Sequence, residues 1–417
     1  MRHVIIGNGP AGLVAAEALR KLQPEAQIAL IGDEPEPPYS RMAIPYFLHG
    51  RIGEDGTHLR KAHDHFATHG IHLIEGRVAS IDAGAREVRF AEGEPLRFDR
   101  LLIASGSRPI RPPVPGIDLP GVHTCWTLAD ARAVAERARA GSRVLQIGAG
   151  FIGCIVLEAL AARGVQLTVV EMGDRMVPRM MTATAGAMIR RWVESKGVAV
   201  HVNTAVTAIR SEGGALVATL NNGSEVGADL VICAAGVKPA VDFLAGSGVD
   251  IGRGVRVDAA MRTNVDGIYA AGDVTEATGF HSGDPELNAI QPNAADQARV
   301  AALGMAGQQA RSQGSLAINV LDTLGLISTS FGQWSGCDKS EGGAGVERVD
   351  EANYRYLSLQ FRRDVLIGAT SIGWTDQVGA LRGLVQSRVR LGVWRERLLD
   401  DPTQFMTAYL ARTQPVV

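Results

Sequence analysis

Arg2-His3-Val4-Ile5-Ile6-Gly7-Asn8-Gly9-Pro10-Ala11-Gly12-Leu13 stands at the head of the chain, and its reading decides the fold. His3–Ile6 is short and apolar, as a buried strand is. Gly7, Gly9 and Gly12 follow with G-x-G-x-x-G spacing. Leu13, Ala16, Leu19 and Leu22 then recur at helical intervals, and Ile28–Ile31 reads as the next strand. Strand, glycine turn, helix and strand within 35 residues make a βαβ unit. In such a unit the first glycine permits the tight turn, the second lets a pyrophosphate approach the backbone, and the third lets helix pack on strand. The N-terminus of the helix expected over Leu13–Leu22 offers N–H groups and a positive dipole end to phosphates. A carboxylate about 20 residues on is expected to bond a ribose hydroxyl. Asp33 fits best and Glu34 is second. A glycine-rich turn without ligand is the competing reading; the strand before it and the helix after it count against that.

The pattern recurs about 140 residues later. Arg143–Ile147 is a strand, Gly148-Ala149-Gly150-Phe151-Ile152-Gly153 the turn, Ile155–Arg163 a helix and Gln166–Val170 a strand. The run Val144–Ala162 is the most membrane-like of the chain, but Gln146, Glu158 and three glycines make it strand–turn–helix rather than a span. Glu171 ends the last strand. A carboxylate there accepts bonds from the adenosine ribose and repels a 2′-phosphate, which favours NAD over NADP; Arg175, four residues on, softens the preference. Two such modules imply two dinucleotides, usually a resident FAD and an exchanging nicotinamide cofactor. A third stretch, Gly267-Ile268-Tyr269-Ala270-Ala271-Gly272-Asp273, runs a strand into one carboxylate at its C-terminal end, where ligands of α/β sheets bind. Asp273 as a plain helix N-cap is the alternative.

Composition narrows the rest. Of 417 residues, 46% are hydrophobic and 21% charged, the formal net charge is −2, and no basic stripe of a nucleic-acid binder is present. Glycine is in excess at 49 and aperiodic. The four cysteines, Cys125, Cys154, Cys233 and Cys337, are scattered, with no CxxC or CxxxxC. That argues against zinc, a Cys-ligated cluster and a local redox disulfide, and suits a cytoplasmic protein. His58, His63, His65 and His69 read as a solvated helix face rather than a metal site. Val4-Ile5-Ile6 leaves no room for a signal peptide. Leu101–Ala104 and Leu230–Ala234 are further buried strands. Pro109, Pro112, Pro113 and Pro115 stiffen the connection into the second module, and Gln308–Ser315 reads as a linker. Beyond it, strands at Leu316–Leu321, Tyr354–Arg362 and Leu366–Ile372, a charged loop over Gln333–Asn353 and two closing helices describe a small α+β domain.

Taken together, Gly7–Gly12, Ala104-Ser105-Gly106-Ser107-Arg108-Pro109, Gly148–Gly153, Ala235-Gly236-Val237-Lys238-Pro239 and Ala271-Gly272-Asp273 resemble the pyridine-nucleotide-dependent flavoproteins with two dinucleotide-binding domains, over residues 1–312. The resemblance implies an α/β fold with two Rossmann-like domains, glutathione-reductase-like, and a C-terminal α+β domain. It divides the chain into an FAD domain (1–113 and 239–312), an NAD domain (114–238) and the C-terminal domain (313–417). It implies FAD on Gly7, Gly9, Pro10, Ala11, Gly12, Asp33, Glu34, Arg41, Val78, Ala104, Ser105, Gly106, Gly272, Asp273 and Ala294, with Asp273 on the ribityl chain. The helix starting near Asn293 would aim its N-terminus at the flavin's pyrimidine end. NAD(H) would rest on Gly148, Gly150, Phe151, Ile152, Gly153, Glu171 and Gly236. More narrowly, Pro38-Tyr39-Ser40-Arg41 with Pro45-Tyr46, the stretch Leu321–Ser328 and Leu366-Ile367-Gly368-Ala369 are similar to the NADH oxidase, rubredoxin reductase and nitrite reductase flavoprotein branch.

Departures from that pattern set the chemistry expected. Members that work through a redox cysteine carry it where Met42 stands here, and a thioether forms no sulfenate or mixed disulfide. Tyr46 and Gln291 stand near positions where ferredoxin-reductase members carry lysine and tryptophan. Ile155 replaces a glutamate usual beside the nicotinamide, and Glu158 is the nearby acid. No residue is assigned a catalytic role; Arg41, Tyr46, Ile155 and Glu158 are the candidates nearest the flavin. The leading expectation is an FAD-containing NAD(P)H-dependent reductase. It takes hydride from NADH onto flavin N5 and passes electrons to a separate redox protein or partner subunit. The alternatives are a structural or redox-sensing FAD/NADH-binding subunit with weak turnover, and a flavin dehydrogenase of a small metabolite. Whether the chain forms a homodimer is left open.

Overall fold

A computed structural model describes residues 1–413. It divides into two compact units. The first takes Met1–Ala43, Ile52–Arg108 and Val237–Leu316; the second takes Ile44–Arg51, Pro109–Gly236 and Ala317–Val417.

The first unit is built on a five-stranded parallel sheet in the order Ile268–Ala270, Arg100–Ile103, Arg2–Ile6, Gln27–Gly32, Ile71–Glu75. Its strands are apolar on both sides because both sheet faces are covered. Ile5, Leu30 and Leu102 pack against Ala15, Ala16 and Leu19 of the helix Pro10–Leu22 and Ala298, Ala301 and Ala302 of the helix Gln291–Met305. Val4, Ile31, Leu101 and Ile103 pack on the other side against Ile81, Val88 and Val255. Both helices face the sheet with alanines, so they approach it closely.

The second unit repeats this plan. Its parallel sheet runs Val122–His123, Leu230–Cys233, Arg143–Ile147, Gln166–Val170, Ala199–His201. Beside it, Ile318–Thr323, Leu326–Gly332, Val365–Ile372, Arg355–Arg362 and Gly343–Asp350 form an antiparallel sheet in that spatial order. Trp192, on the helix Ala183–Ser195, donates through Nε1 to the carbonyls of Thr323 and Leu324 at 3.0 and 3.1 Å and meets Tyr354 edge-on. Arg163 donates to Ala135 O, Ala138 O and Leu48 O, tying together the C-terminal ends of the helices Leu128–Arg137 and Ile44–His49. Residues 44–51 therefore belong with the second unit although their sequence neighbours lie in the first.

Several expectations are corrected. Helices start at Pro10 and Phe151, inside the glycine turns, because Gly9 and Gly150 are the N-caps. The helix expected near Asn293 starts at Gln291. The charged loop over 333–353 contains the edge strand Gly343–Asp350, whose sequence looks irregular because half its residues face solvent. The strand Leu326–Gly332 escaped reading because Ser328, Thr329 and Ser330 fill its buried positions. Three helices close the described chain, Val378–Ser387, Val393–Asp400 and Phe405–Thr413, rather than two. The four histidines share no helix face. His65 begins the one-turn helix His65–Thr68 and bonds Glu17, His69 ends it, and His58 and His63 lie outside. Among the described residues no helix is long and apolar enough to cross a membrane.

Candidate dinucleotide sites

In the first unit, Gly7 donates its N–H to Ile31 O at 2.8 Å and adopts φ +108°, where a side chain would be strained. A Cβ on Gly7 would also lie 2.1 Å from Ala104 O. A Cβ on Gly12 would lie 1.8 Å from Gly7 O. A Cβ on Gly9 would meet nothing within 4 Å. The outer glycines thus close the turn and the middle one faces open space. Pro10 occupies the first helical turn and no side chain caps the helix, so its leading amides lack an intrahelical or side-chain partner. Open backbone at Gly9 beside uncapped helix amides is the arrangement that receives a phosphate group.

The strand ends converge on this loop. Gly272 packs against Ala11 and Ala294, at 3.1 and 3.6 Å from its would-be Cβ. Its N–H donates to Gln297 Oε1 at 2.8 Å, and Gln297 also accepts from Thr275 Oγ1 and donates to Ser315 Oγ. Asp273, next in sequence, is half-buried and accepts from Ser107 Oγ at 3.1 Å. Burial pushes its carboxyl above the ordinary range, with Ser107 and Arg41 pulling the other way. An enclosed carboxylate with a single neutral partner has acceptor capacity to spare. It is not an N-cap: the strand Thr275–Thr278 follows it. Ser105 Oγ donates to Ala240 O at 2.9 Å, and Gly106 is left-handed with open space at its Cβ. The helix Gln291–Met305 also lacks a side-chain cap.

The two acids after the strand Gln27–Gly32 differ. Asp33 is exposed. Glu34 is held by Tyr39 OH and Arg41 Nη2, both at 2.6 Å, and Arg41 also donates to Tyr39 OH at 2.9 Å. Val78 begins the strand Val78–Asp82, packed beside the core below the parallel sheet. Gly76 N donates to Gly32 O at 2.8 Å, which brings that segment to the same sheet end.

In the second unit the geometry is reproduced. Gly148 adopts φ +102°, its N–H donates to Val170 O, and a Cβ there would lie 2.4 Å from Ala234 O. Gly150 faces open space, and Gly153 sits against Gly148 O. Glu171 accepts from Ala149 N and Gly173 N, both at 2.7 Å, so one carboxylate braces the loop and stands at its mouth. Gly236 is left-handed, beside Ile110. Arg175 is committed elsewhere: Nε donates to Met181 O and Nη1 to Asp174. Gln146 is a supporting residue that sequence reasoning passed over. Fully buried, it donates to Gly148 O and Gly153 O at 2.9 and 3.0 Å. The signal was an amide in an otherwise apolar strand.

On the helix Phe151–Ala161, Phe151, Ile152, Ile155 and Glu158 share the partly accessible face. Burial raises the Glu158 carboxyl and Asp322 adds to it; Arg51 and His49 oppose. Cys154 is on the opposite, buried side, where burial pushes its thiol up to about 12, so it is a packing residue and no nucleophile. Met42 and Tyr46 are 51% and 52% exposed.

Residues 1–303 match the pyridine nucleotide-disulphide oxidoreductase family. Over 405 residues the chain is 30% identical to the NADH-dependent phenylglyoxylate dehydrogenase subunit epsilon of Aromatoleum evansii, covering 96% of this chain and 95% of that one. Rhodocoxin reductase of Rhodococcus erythropolis is 35% identical over 311 residues, 74% of this chain and 72% of that one. Among solved structures, a ferredoxin reductase from Rhodopseudomonas palustris superposes with TM-score 0.83 at 28% identity, over 91% of this chain and 93% of that one. Putidaredoxin reductase, in covalent complex with putidaredoxin, reaches TM-score 0.89 over 99% of each chain; at 22% identity that is a likeness of fold. The chain belongs to the pyridine nucleotide-disulphide oxidoreductase family, as an FAD-dependent oxidoreductase that works with NAD(H).

Proposed function

We propose that this protein oxidises NADH and delivers the electrons to a separate redox protein or partner subunit. The observation that carries this reading is the pair of open glycine cradles combined with the absence of a thiol relay: Met42 stands where thiol-dependent members carry cysteine, and the four cysteines are unbonded to one another. Bound FAD would supply the chemistry of accepting hydride from NADH and releasing the electrons. NADH gives two electrons and leaves as NAD⁺ with one proton released, so a one-electron carrier is reduced twice per turnover. Relatives named as carrier reductases, and one named as a subunit of an NADH-dependent dehydrogenase, support an external acceptor.

The chain's own residues do the holding. Gly7, Gly9, Pro10, Ala11 and Gly12 would present the helix amides to the FAD pyrophosphate. Asp33 would take the adenosine ribose, while Glu34 keeps Arg41 in place. Ala104, Ser105, Gly106 and Val78 would line the dinucleotide, and Asp273 would accept from the ribityl hydroxyls. Gly148, Gly150, Phe151, Ile152, Gly153 and Gly236 would hold NAD(H). Glu171 would select it over its 2′-phosphorylated form, since Arg175 is already engaged. Domains at 1–113 with 239–312, 114–238 and 313–417 fit these assignments, and the cysteine pattern fits the cytoplasm. Glu158 is the acid on the accessible helix face where Ile155 offers none.

Stopped-flow mixing of holoprotein with NADH tests the reading. Bleaching of the flavin band within seconds is expected. No bleaching over minutes, with photoreduction intact, would favour a sensing or structural subunit. Bleaching by a hydroxy or amino acid instead of NADH would mark a metabolite dehydrogenase.

A further inference from the structure

The helix Ala183–Ser195 meets the antiparallel sheet of the second unit near both of its ends, and the two contacts differ in kind. Toward the C-terminal end the contact is to backbone, through Trp192 Nε1. At the N-terminal end it is a chain of side chains. Tyr356 is fully buried, and its hydroxyl donates to Glu347 Oε1 at 2.6 Å. Burial first, then Glu347, holds the phenol above its ordinary range, so it stays a donor. A phenol has one proton to give. With that proton on Glu347, the 2.8 Å contact between Tyr356 and Thr182 is a bond donated by the Thr182 hydroxyl. Thr182 Oγ1, the helix N-cap, accepts in turn from Ala185 N at 3.3 Å. The chain therefore runs one way, from amide through two hydroxyls to a carboxylate, and each bond polarises the next.

Thr182 also ends a strap that begins at Glu171. Ala149, inside the second glycine loop, is bonded to this strap twice: its N–H donates to Glu171 at 2.7 Å and its carbonyl accepts from Val177 N at 2.8 Å. Val177 O accepts from Met180 N and Met181 N, and Arg175 Nε donates to Met181 O, so the strap is closed on itself up to the residue before Thr182. Met176, Val177, Met180 and Met181 are buried. Val177 adopts φ +50°, an outlier for a β-branched residue. Such a conformation persists only where its surroundings over-determine it.

We propose that Tyr356 is a positioning residue for the second dinucleotide site: its bond with Thr182 anchors the strap, and the strap holds the Ala149 peptide in the shape that receives NAD(H). The proposal rests on the reading that this loop takes NADH. Removing the phenol oxygen frees the far end of the strap and leaves the N-cap bond, the loop glycines and Glu171 in place. A strained segment released at one end relaxes, the binding-competent shape becomes a fraction of the population, and apparent affinity falls by that fraction.

The test compares holoprotein variants by steady-state NADH turnover with menadione and by hydrogen–deuterium exchange without nucleotide. Tyr356→Phe is expected to raise the NADH KM about fivefold with kcat and flavin content unchanged. Exchange across residues 148–153 and 171–181 should quicken, while residues 7–12 stay at the wild-type rate. Trp192→Phe loosens the same helix from the same sheet at the other end, and is expected to lower Tm without moving KM or that exchange. Tyr356→Phe/Thr182→Val should match Thr182→Val alone, since the link is already cut. If Tyr356→Phe does not fold, Thr182→Val against Thr182→Ser makes the decision: the valine variant is expected to raise KM and the serine variant to keep it. An unmoved KM and exchange in Tyr356→Phe, an equal rise in Trp192→Phe, additive effects in the double variant, or equal KM values in the two Thr182 variants would each overturn the proposal. A wild type that does not oxidise NADH would instead count against the NADH reading, with the exchange comparison still deciding whether Tyr356 holds the loop.

Discussion

The two glycine loops are nearly superimposable in their own geometry and differ in what surrounds them. Gly9 and Gly150 share φ −72° and ψ −172°, and Gly7 and Gly148 share left-handed φ values of +108° and +102°. Around the first loop, Asp273 is partly enclosed, Ser107 is its hydrogen-bond donor, and Gln297 fixes the strand end before it. Around the second, the acid is Glu171, at the strand end beside the loop, bonded to backbone amides of Ala149 and Gly173. An enclosed carboxylate waiting for hydroxyl donors suits a ligand that stays. A carboxylate already satisfied by the backbone suits one that comes and goes, because the site keeps its shape without it. On the proposed reading the same local motif would serve a resident dinucleotide at the first loop and an exchanging one at the second, with the neighbours making the difference.

The comparison breaks most visibly at the third glycines. Gly12→Ala places a methyl 1.8 Å from Gly7 O, and Gly153→Ala one 2.5 Å from Gly148 O. Forced shifts of this kind cost about 1–3 kcal/mol, equivalent to about 5- to 150-fold in affinity where the cost falls on the bound state. Gly12→Ala should purify with little flavin absorbance. Gly153→Ala should keep its flavin and show a raised KM for NADH. Loss of the same ligand in both would erase the distinction.

Glu171→Gln sharpens the second loop. It exchanges a charged acceptor of two amides for a neutral amide, worth about 1.5–3 kcal/mol per charged bond. NADH KM should rise about tenfold, with flavin content unchanged and discrimination against NADPH reduced, as steady-state kinetics with both cofactors would register.

Asp273 probes the first loop through pH. Its folded pKa is raised by burial, so the fold binds its proton more tightly than the unfolded chain does. Stability from this group is present below the ordinary aspartate pKa and is lost as pH rises through the raised value. In flavin-free protein, Tm should therefore fall across the acid range, and Asp273→Asn should flatten that slope. An unchanged slope in the variant would assign it to other groups.

The smallest effect belongs to Trp192→Phe, which removes the indole N–H shared by Thr323 O and Leu324 O. About 1 kcal/mol is expected, a fall in Tm of roughly 2–4 °C, with flavin retention in the first unit untouched.

Much of this was legible in the chain. The strands Arg143–Ile147 and Gln166–Val170 stand where the apolar runs put them, because buried parallel strands have no exposed face to interrupt the pattern. Legibility failed where burial was not apolar. The strand with Ser328, Thr329 and Ser330 hides polar side chains in the interior, and Gly343–Asp350 exposes half an edge strand. Gln146 was visible as a letter, but its bonds to Gly148 O and Gly153 O were not.

By itself, then, the sequence determined the two nucleotide-sized modules, the acids at their strand ends and the scattering of the cysteines without CxxC or CxxxxC spacing, since glycine spacing and cysteine placement are local constraints that survive without coordinates. Tertiary structure alone decided that Glu34 is tied to Arg41, that Arg175 is engaged, that Asp273 is enclosed with Ser107, and that residues 44–51 leave their neighbours for the second unit. Each of those depends on groups distant in sequence meeting in space, and pairing, burial and pKa are properties of such meetings rather than of any one residue.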